Sequence, residues 1–395
     1  MVLLAYLLAT VSILTGTAAV YMALLEQFPV RWLYYHYFVR KPIVWTILVV
    51  LVTMILHSIH NDGRVDPTLI APVILGLLGV LLTYRMHQEA AFRAEDYRRM
   101  TTVHNSLPLS GNMEIAVIEY NGVTKGYPLQ YVIHHHIVND WFNDKLVSLT
   151  YCAMCRSIIP FDVTDLGPMF VASFKGANMI VADRKTKTFF QQATFESIIG
   201  PLHPATLKMI PFQILGWELV KKIQPSVPVA DVTEDDLRAF ELPIPGIWKR
   251  IVATESTPGL SSKRRDKTFP ARTRVVGIIE PGIVPQPVYL KTEVVAKQLV
   301  HNHEHNFILV GGMNTVNGFK VHPHQKIVLN GDLLQDHTTH GCWDLRGKTR
   351  QQGVADLEPL AISDEYWFSW KEYHPDSTVI RQELYDRHTV AGDGR

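Results

Sequence analysis

Cysteine is scarce in this chain: Cys152, Cys155 and Cys342 are the only three among 395 residues. Three thiols exclude a disulfide framework, and any single bridge leaves one of them unpaired. Charge is also in short supply. Charged residues make up 19% and the net charge is +1, which excludes the strong basic field of a nucleic-acid reader and the acidic bias of a disordered chain. No nucleic-acid partner is expected. The sequence lacks a Gly-x-Ser-x-Gly elbow, a Gly-x-x-x-x-Gly-Lys loop and a Gly-x-Gly-x-x-Gly turn, so hydrolase and nucleotide-binding readings have no motif behind them.

Apolar length and histidine are what the chain has in excess. Val2 to Leu25 is a run without a charge, longer than the ~20 residues needed to cross a bilayer as a helix. No basic segment precedes it, which argues against a cleaved signal peptide. Pro42 to Ile59 and Thr68 to Tyr84 are two further apolar runs, and a membrane helix tolerates Pro72 in the last. Residues 1–85 therefore read as an anchor of about three transmembrane helices, with the lipid bilayer as partner, and residues 86–114 as a juxtamembrane connector. Trp32, Tyr34, Tyr35, Tyr37 and Trp45 fall between the first two runs, where amphipathic rings favour the interface. With three crossings, Arg31, Arg40 and Lys41 share a face with Arg85, Arg93, Arg98 and Arg99, against Arg64 on the other. That bias predicts a soluble part on the cytoplasmic side.

Beyond about Ile115 the sequence predicts an α+β, β-rich region of two pseudo-repeated lobes, residues 115–225 and 275–395, joined by a Pro-rich and basic linker over 226–274. Ile115–Tyr120 and Val123–Tyr127 flank Asn121-Gly122, a strong two-residue hairpin signal. Leu129 to Phe142 reads as helix and Leu146–Tyr151 as strand. The repeat is clearest where Gly216 to Pro225 matches Trp367 to Pro375, each an aromatic-rich helical turn stopped by proline. This alignment sets Asn314 and Asn317 opposite Cys152 and Cys155.

Several motifs follow in order: Gly126-Tyr127-Pro128-Leu129, Ile137-Val138-Asn139-Asp140, Thr150-Tyr151-Cys152-Ala153-Met154-Cys155, Phe161-Asp162, and Ala182-Asp183-Arg184-Lys185-Thr186. With Trp367-Phe368-Ser369-Trp370 and Tyr373-His374-Pro375-Asp376-Ser377-Thr378, the set resembles domain of unknown function 3179 (DUF3179) over roughly Ile115 to Val379. The resemblance implies a duplicated β-rich domain, exported or membrane-attached, with no agreed activity. Export is the opposite of the side predicted by the charge bias. The chain departs from the family pattern at His135-His136, where His-Glu is usual, and at Ala153-Met154 and Arg156, where Pro-Leu and Gly are usual. Ser173-Phe174-Lys175-Gly176-Ala177-Asn178 and Phe190-Gln191-Gln192 depart as well.

Cys152-Ala153-Met154-Cys155 leaves a strand and enters a turn, where two thiols converge on one point. That geometry serves a metal ion or a dithiol–disulfide pair. For a metal, His135 and His136 are the nearest further ligands; helical periodicity puts His136 inward with Val132, Ile133 and Ile137, where a core histidine is the plain alternative. Two thiolates, imidazoles and Met154 suit a transition metal such as copper, zinc or iron. Asp140, with Asn139, is a candidate to orient a ligating histidine, or simply a turn former. In the second lobe His301, His303 and His305 would share one side of an extended strand as secondary ligands. Three classes of function follow: a membrane-anchored metalloprotein in redox chemistry or metal handling, a thiol–disulfide oxidoreductase using Cys152 and Cys155 with Arg156 nearby, and a non-catalytic binding or assembly module.

Overall fold

The computed structural model describes residues 1–103, 109–111, 113–236, 250, 253–261 and 263–382. Three N-terminal helices, Val2–Leu24, Val30–Asp62 and Pro67–Arg85, are long and apolar enough to cross a membrane. Leu3, Leu7, Val49 and Ile74 are exposed on them, as lipid-facing side chains are. The first and third helices approach closely because glycine stands where they meet: a Cβ on Gly79 would sit 2.1 Å from Ser12 Oγ, and one on Gly16 would sit 2.6 Å from the Gly79 carbonyl. Small residues at such crossings are how membrane helices pack without a hydrophobic driving force.

The second helix begins earlier than its apolar run predicts. It starts at Val30 and continues through Pro42, so the Trp32 to Trp45 aromatics are helical rather than in an interhelical loop. Their role differs accordingly. The Tyr34 ring lies 5.1 Å from Phe189 and the Tyr37 ring 5.7 Å from Phe170, so this helix end seats the soluble part on the anchor. Lys175 Nζ donates to the Met22 and Leu25 carbonyls at 2.9 and 2.6 Å and fixes the end of the first helix to the strand Met169–Lys175, which also carries Phe170.

The remainder is α+β and β-rich, with several sheets. One sheet runs in the order Gln213–Gly216, Glu114–Tyr120, Val123–Pro128, Pro228–Ala230, Met100–Thr102. Another runs Ile362–Tyr366, Arg274–Ile278, Pro287–Leu290, Thr378–Ile380. The first four strands of the former and the four of the latter follow one order, and in each the fourth pairs parallel with the third. The helices Leu129–His135 and Lys291–Lys297 leave the third strand of each sheet and stop at a left-handed residue, His136 at φ 60° and Gln298 at φ 62°. Such φ values break a helix for any residue with a Cβ.

That stop corrects the helix expected through Phe142. Ile137–Phe142 is a strand, paired antiparallel with Lys145–Tyr151 across a turn in which Asn143 adopts φ 55°. Ile137 and Val138 are β-branched and favour the strand. The expected equivalence of Cys152 and Cys155 with Asn314 and Asn317 also changes. Cys152 N–H donates to the Ser157 carbonyl at 3.0 Å and Gly312 N–H to the Thr315 carbonyl at 2.8 Å, so the shorter turn Gly312 to Thr315 is the counterpart. Asn317 lies in the next strand, Val316–Lys320, where its amide bonds both the N–H and the carbonyl of Ile214.

The stretch expected as linker starts inside the first sheet, since Pro228–Ala230 is one of its strands. Residues 237–249, 251, 252 and 262 of that stretch lie outside the described residues. Within it, Arg264 pairs with Glu372, and Ala271 is buried in the cluster that holds Cys152 and Cys155.

Candidate functional site

Cys152 follows the strand Lys145–Tyr151, and the chain returns through Ile158–Asp162 after a turn that places both thiols inside the fold. Cys152 is 3% exposed and Cys155 fully buried, and both are free. Around them pack Phe161, Met179, Phe190 and, from the second lobe, Phe368. The lobes therefore share this cluster.

The two thiols have opposite tendencies. Burial pushes the Cys152 thiol up, yet hydrogen bonds from the Cys155 side chain and from the backbone N–H groups of Cys155, Met154 and Met179 outweigh it and hold the group below its ordinary value. Burial pushes Cys155 up, and its bond to the Cys152 sulfur pushes it further in the same direction. Cys152 is thus the readier thiolate and Cys155 the retained thiol. A polar frame fixes Cys155: Asn178 Nδ2 donates to its sulfur at 3.2 Å, and Ser157 Oγ lies 3.1 Å away while donating to Gln192 Oε1 at 2.8 Å. Gln192 Nε2 in turn donates to Thr150 Oγ1 at 3.0 Å.

The second lobe adds a carboxyl. Glu365 lies in Ile362–Tyr366; burial first, and then the neighbouring Cys155 sulfur, push it up to about 8. Ser363 Oγ donates to Glu365 Oε1 at 2.8 Å, whereas Oε2 is buried beside the Ser369 side chain with no hydrogen bond of good geometry among the described residues. A buried acid with one unbonded oxygen beside a dithiol is equipped to exchange a proton with it. The Tyr373 hydroxyl donates to the Lys175 and Gly176 carbonyls at 2.9 and 3.2 Å, next to the strand tied to the anchor.

The residues expected to join the cysteines go elsewhere. His135 Nε2 lies 3.1 Å and His134 Nδ1 3.2 Å from the same oxygen of Asp236. His136 turns away, its ring 4.3 Å from Phe92, its Nδ1 buried without a partner among the described residues, and burial holds it down to about 4. Asp140 accepts from the Tyr127 hydroxyl at 2.6 Å and from Lys125 Nζ at 2.9 Å, so it orients a tyrosine and a lysine rather than a histidine. Of the second-lobe set only His301 is in a strand, Leu299–Asn302. Asn302 Oδ1 accepts the His305 N–H at 2.9 Å and turns the chain, leaving His301 and His303 stacked at 5.5 Å and His305 beside Phe307. The three do not form the row expected of one extended strand.

Among the described residues, the group of histidine and acid side chains close enough to share a metal is His134, His135 and Asp236. It includes His135 from the expected ligands and neither cysteine. Glu365, Asn178, Gln192 and Asp236 join these sites without being among the residues the sequence marks as ligands. Asn178 and Gln192 stand in segments already marked by their departure from the family pattern, but Glu365 belongs to no motif.

No curated protein and no solved structure matches this chain. The family described as Protein of unknown function (DUF3179) matches residues 95–377. Its match takes in the short strands Glu95–Asp96 and Met100–Thr102 upstream of Ile115, and with that match across most of its length the chain belongs to the DUF3179 family.

Proposed function

We propose that this protein is a membrane-anchored thiol–disulfide oxidoreductase with Cys152 as attacking thiol and Cys155 as resolving thiol. The observation that carries the reading is the free, buried Cys152–Cys155 pair, with Cys155 held by Asn178 and Ser157 and its carbonyl bonded by the Tyr366 N–H next to Glu365. The Cys152 thiolate attacks one sulfur of a protein or peptide disulfide. A Cys152–S bond forms, the partner S–S bond breaks, and the other partner sulfur leaves as a thiolate. Cys155 then passes its proton to the first partner thiolate and attacks the Cys152 sulfur, which releases the second partner thiolate and closes the Cys152–Cys155 disulfide. The partner gains two electrons and the dithiol loses them. Because Cys152 is 3% exposed, the half-buried Ala153-Met154 turn must open for a partner to reach it.

A metal centre on the cysteines has less support, because no third histidine or acid joins them in a metal-competent group among the described residues. The anchor in this reading crosses the bilayer three times. Contacts at one end support that count: Gln88 Nε2 donates to the Ala19 carbonyl at 3.0 Å, and Arg40 pairs with Glu89 at 3.6 Å, joining the end of the first helix, the early part of the second and the end of the third. The excess of Arg and Lys at that end supports a cytoplasmic soluble part, a compartment that keeps thiols reduced. A reporter fused after Arg395 and active only outside the cytoplasm should be silent, and strong activity contradicts that side.

The oxidoreductase reading is tested by trapping. Cys155→Ser removes the resolving thiol, so mixed disulfides with partner proteins should accumulate on Cys152 and disappear on reduction. Their absence from Cys155→Ser, or equal amounts in Cys152→Ser, contradicts it.

A further inference from the structure

We propose that His134, His135 and Asp236 form a binding site for a first-row divalent transition metal ion, separate from the dithiol and independent of the oxidoreductase reading. The left-handed stop at His136 sends the third imidazole of the run onto Phe92 and leaves the other two at the helix end. Their rings lie 4.4 Å apart, and both nitrogens point at one oxygen, Asp236 Oδ1. The three donor atoms lie within 4.8 Å of one another, a spread that one ion can draw in.

The surroundings are arranged as an outer shell. Asp236 Oδ2 accepts from the Thr233 N–H and hydroxyl, each at 2.8 Å, and from Arg98 Nη2 at 3.2 Å. These donors hold the carboxylate by its outer oxygen and leave Oδ1 toward the imidazoles. On the far side of His135, Nδ1 lies 3.9 Å from Glu95 Oε2. At that distance the carboxylate lies beyond hydrogen-bond reach and acts on the ring by its charge. Arg98 bridges the two acids, since its Nη1 donates to Glu95 Oε1 at 3.2 Å, and so offsets part of their charge without touching the inner oxygen.

The His134 side chain is 34% exposed while those of His135 and Asp236 are 13% and 6%, so His134 is the most accessible of the three ligands. Two imidazoles and one carboxylate with positions left over are the donor set of zinc and non-haem iron(II) sites rather than of magnesium or calcium.

The test uses the full chain in detergent, carrying Cys152→Ser and Cys155→Ser so that thiolates cannot contribute, and stripped with chelator. Titration with cobalt(II) should give visible ligand-field bands that saturate near one equivalent and are displaced by zinc(II). Asp236→Asn and His135→Ala should each weaken binding by at least about 10-fold, whereas His301→Ala should leave it unchanged. If His135→Ala does not fold, the more exposed His134→Ala replaces it with the same expected loss. Absence of saturable binding, or binding by Asp236→Asn equal to that of the parent, overturns the site.

Discussion

The backbone N–H of Tyr366 donates to the carbonyl oxygen of Cys155 at 3.0 Å. This one bond ties the second lobe's strand Ile362–Tyr366 to the thiol turn of the first, and it brings the preceding residue, Glu365, beside the buried cysteine. The dithiol is therefore completed by a residue more than half the chain away.

Glu365 gives stability a defined pH dependence. Its carboxyl is raised from 4.5 to about 8, so between those values the folded chain holds a proton that the unfolded chain has released. Stability contributed by the neutral acid is present below about 4.5 and is lost as pH rises through about 8, with a slope of up to about 1.4 kcal/mol per unit. Denaturant midpoints measured from pH 5 to 9 should fall with pH in the parent and fall less in Glu365→Gln. An unchanged slope in the variant contradicts the placement of Glu365.

Unequal thiols predict unequal alkylation. In a Cys342→Ser background, which removes the half-buried third thiol, iodoacetamide at neutral pH should label Cys152 before Cys155 in the native protein. Mass spectrometry of the labelled peptides reads the order. Faster labelling of Cys155 contradicts the assignment of roles.

The elements with strong local signals were legible in the sequence. The charge-free Val2–Leu25 run became the helix Val2–Leu24, and Asn121-Gly122 joined the strands on either side of it. Apolar spacing continues past His136 and so predicts a helix to Phe142, whereas a single left-handed residue at His136 resets the chain into a strand. The Cys-x-x-Cys pair was found from spacing. Its polar frame was not, because Asn178, Gln192 and Glu365 reach it from three separate strands or turns. His135 was singled out, but with the cysteines as companions; Asp236 lies about a hundred positions along the chain, a separation over which no periodicity operates.

The lobes also meet through buried charge. Asp364 accepts from Arg274 at 2.6 Å and from Lys291 at 2.5 Å, while Lys291 lies 3.7 Å from Glu114, which pairs with Arg156 at 2.6 Å. Burial pushes the Asp364 carboxyl up, but Lys291 and Arg274 outweigh it and hold it below its ordinary value. Asp364→Ala leaves Lys291 buried with a weaker partner, and breaking such a pair costs ~3 kcal/mol or more. Chemical denaturation should show that loss, and a change within 0.5 kcal/mol, the ordinary range for a surface substitution, contradicts the network's role.

Trp370 sets a steric limit on the central strand of the second lobe. It is fully buried, and a Cβ on Gly277 would lie 2.0 to 2.4 Å from its ring carbons. Gly277→Ala forces the indole or the strand to move, at a cost of ~3 kcal/mol, visible as a lowered Tm. Near-wild-type stability contradicts the contact.

The most direct test of the dithiol is a redox titration. The full chain in detergent is equilibrated in buffers of graded thiol–disulfide ratio, quenched in acid, and its free thiols tagged and weighed. Reversible formation of one disulfide between Cys152 and Cys155, lost in either single serine variant, is the predicted result. Thiols that stay reduced, or oxidise irreversibly, through every buffer contradict it.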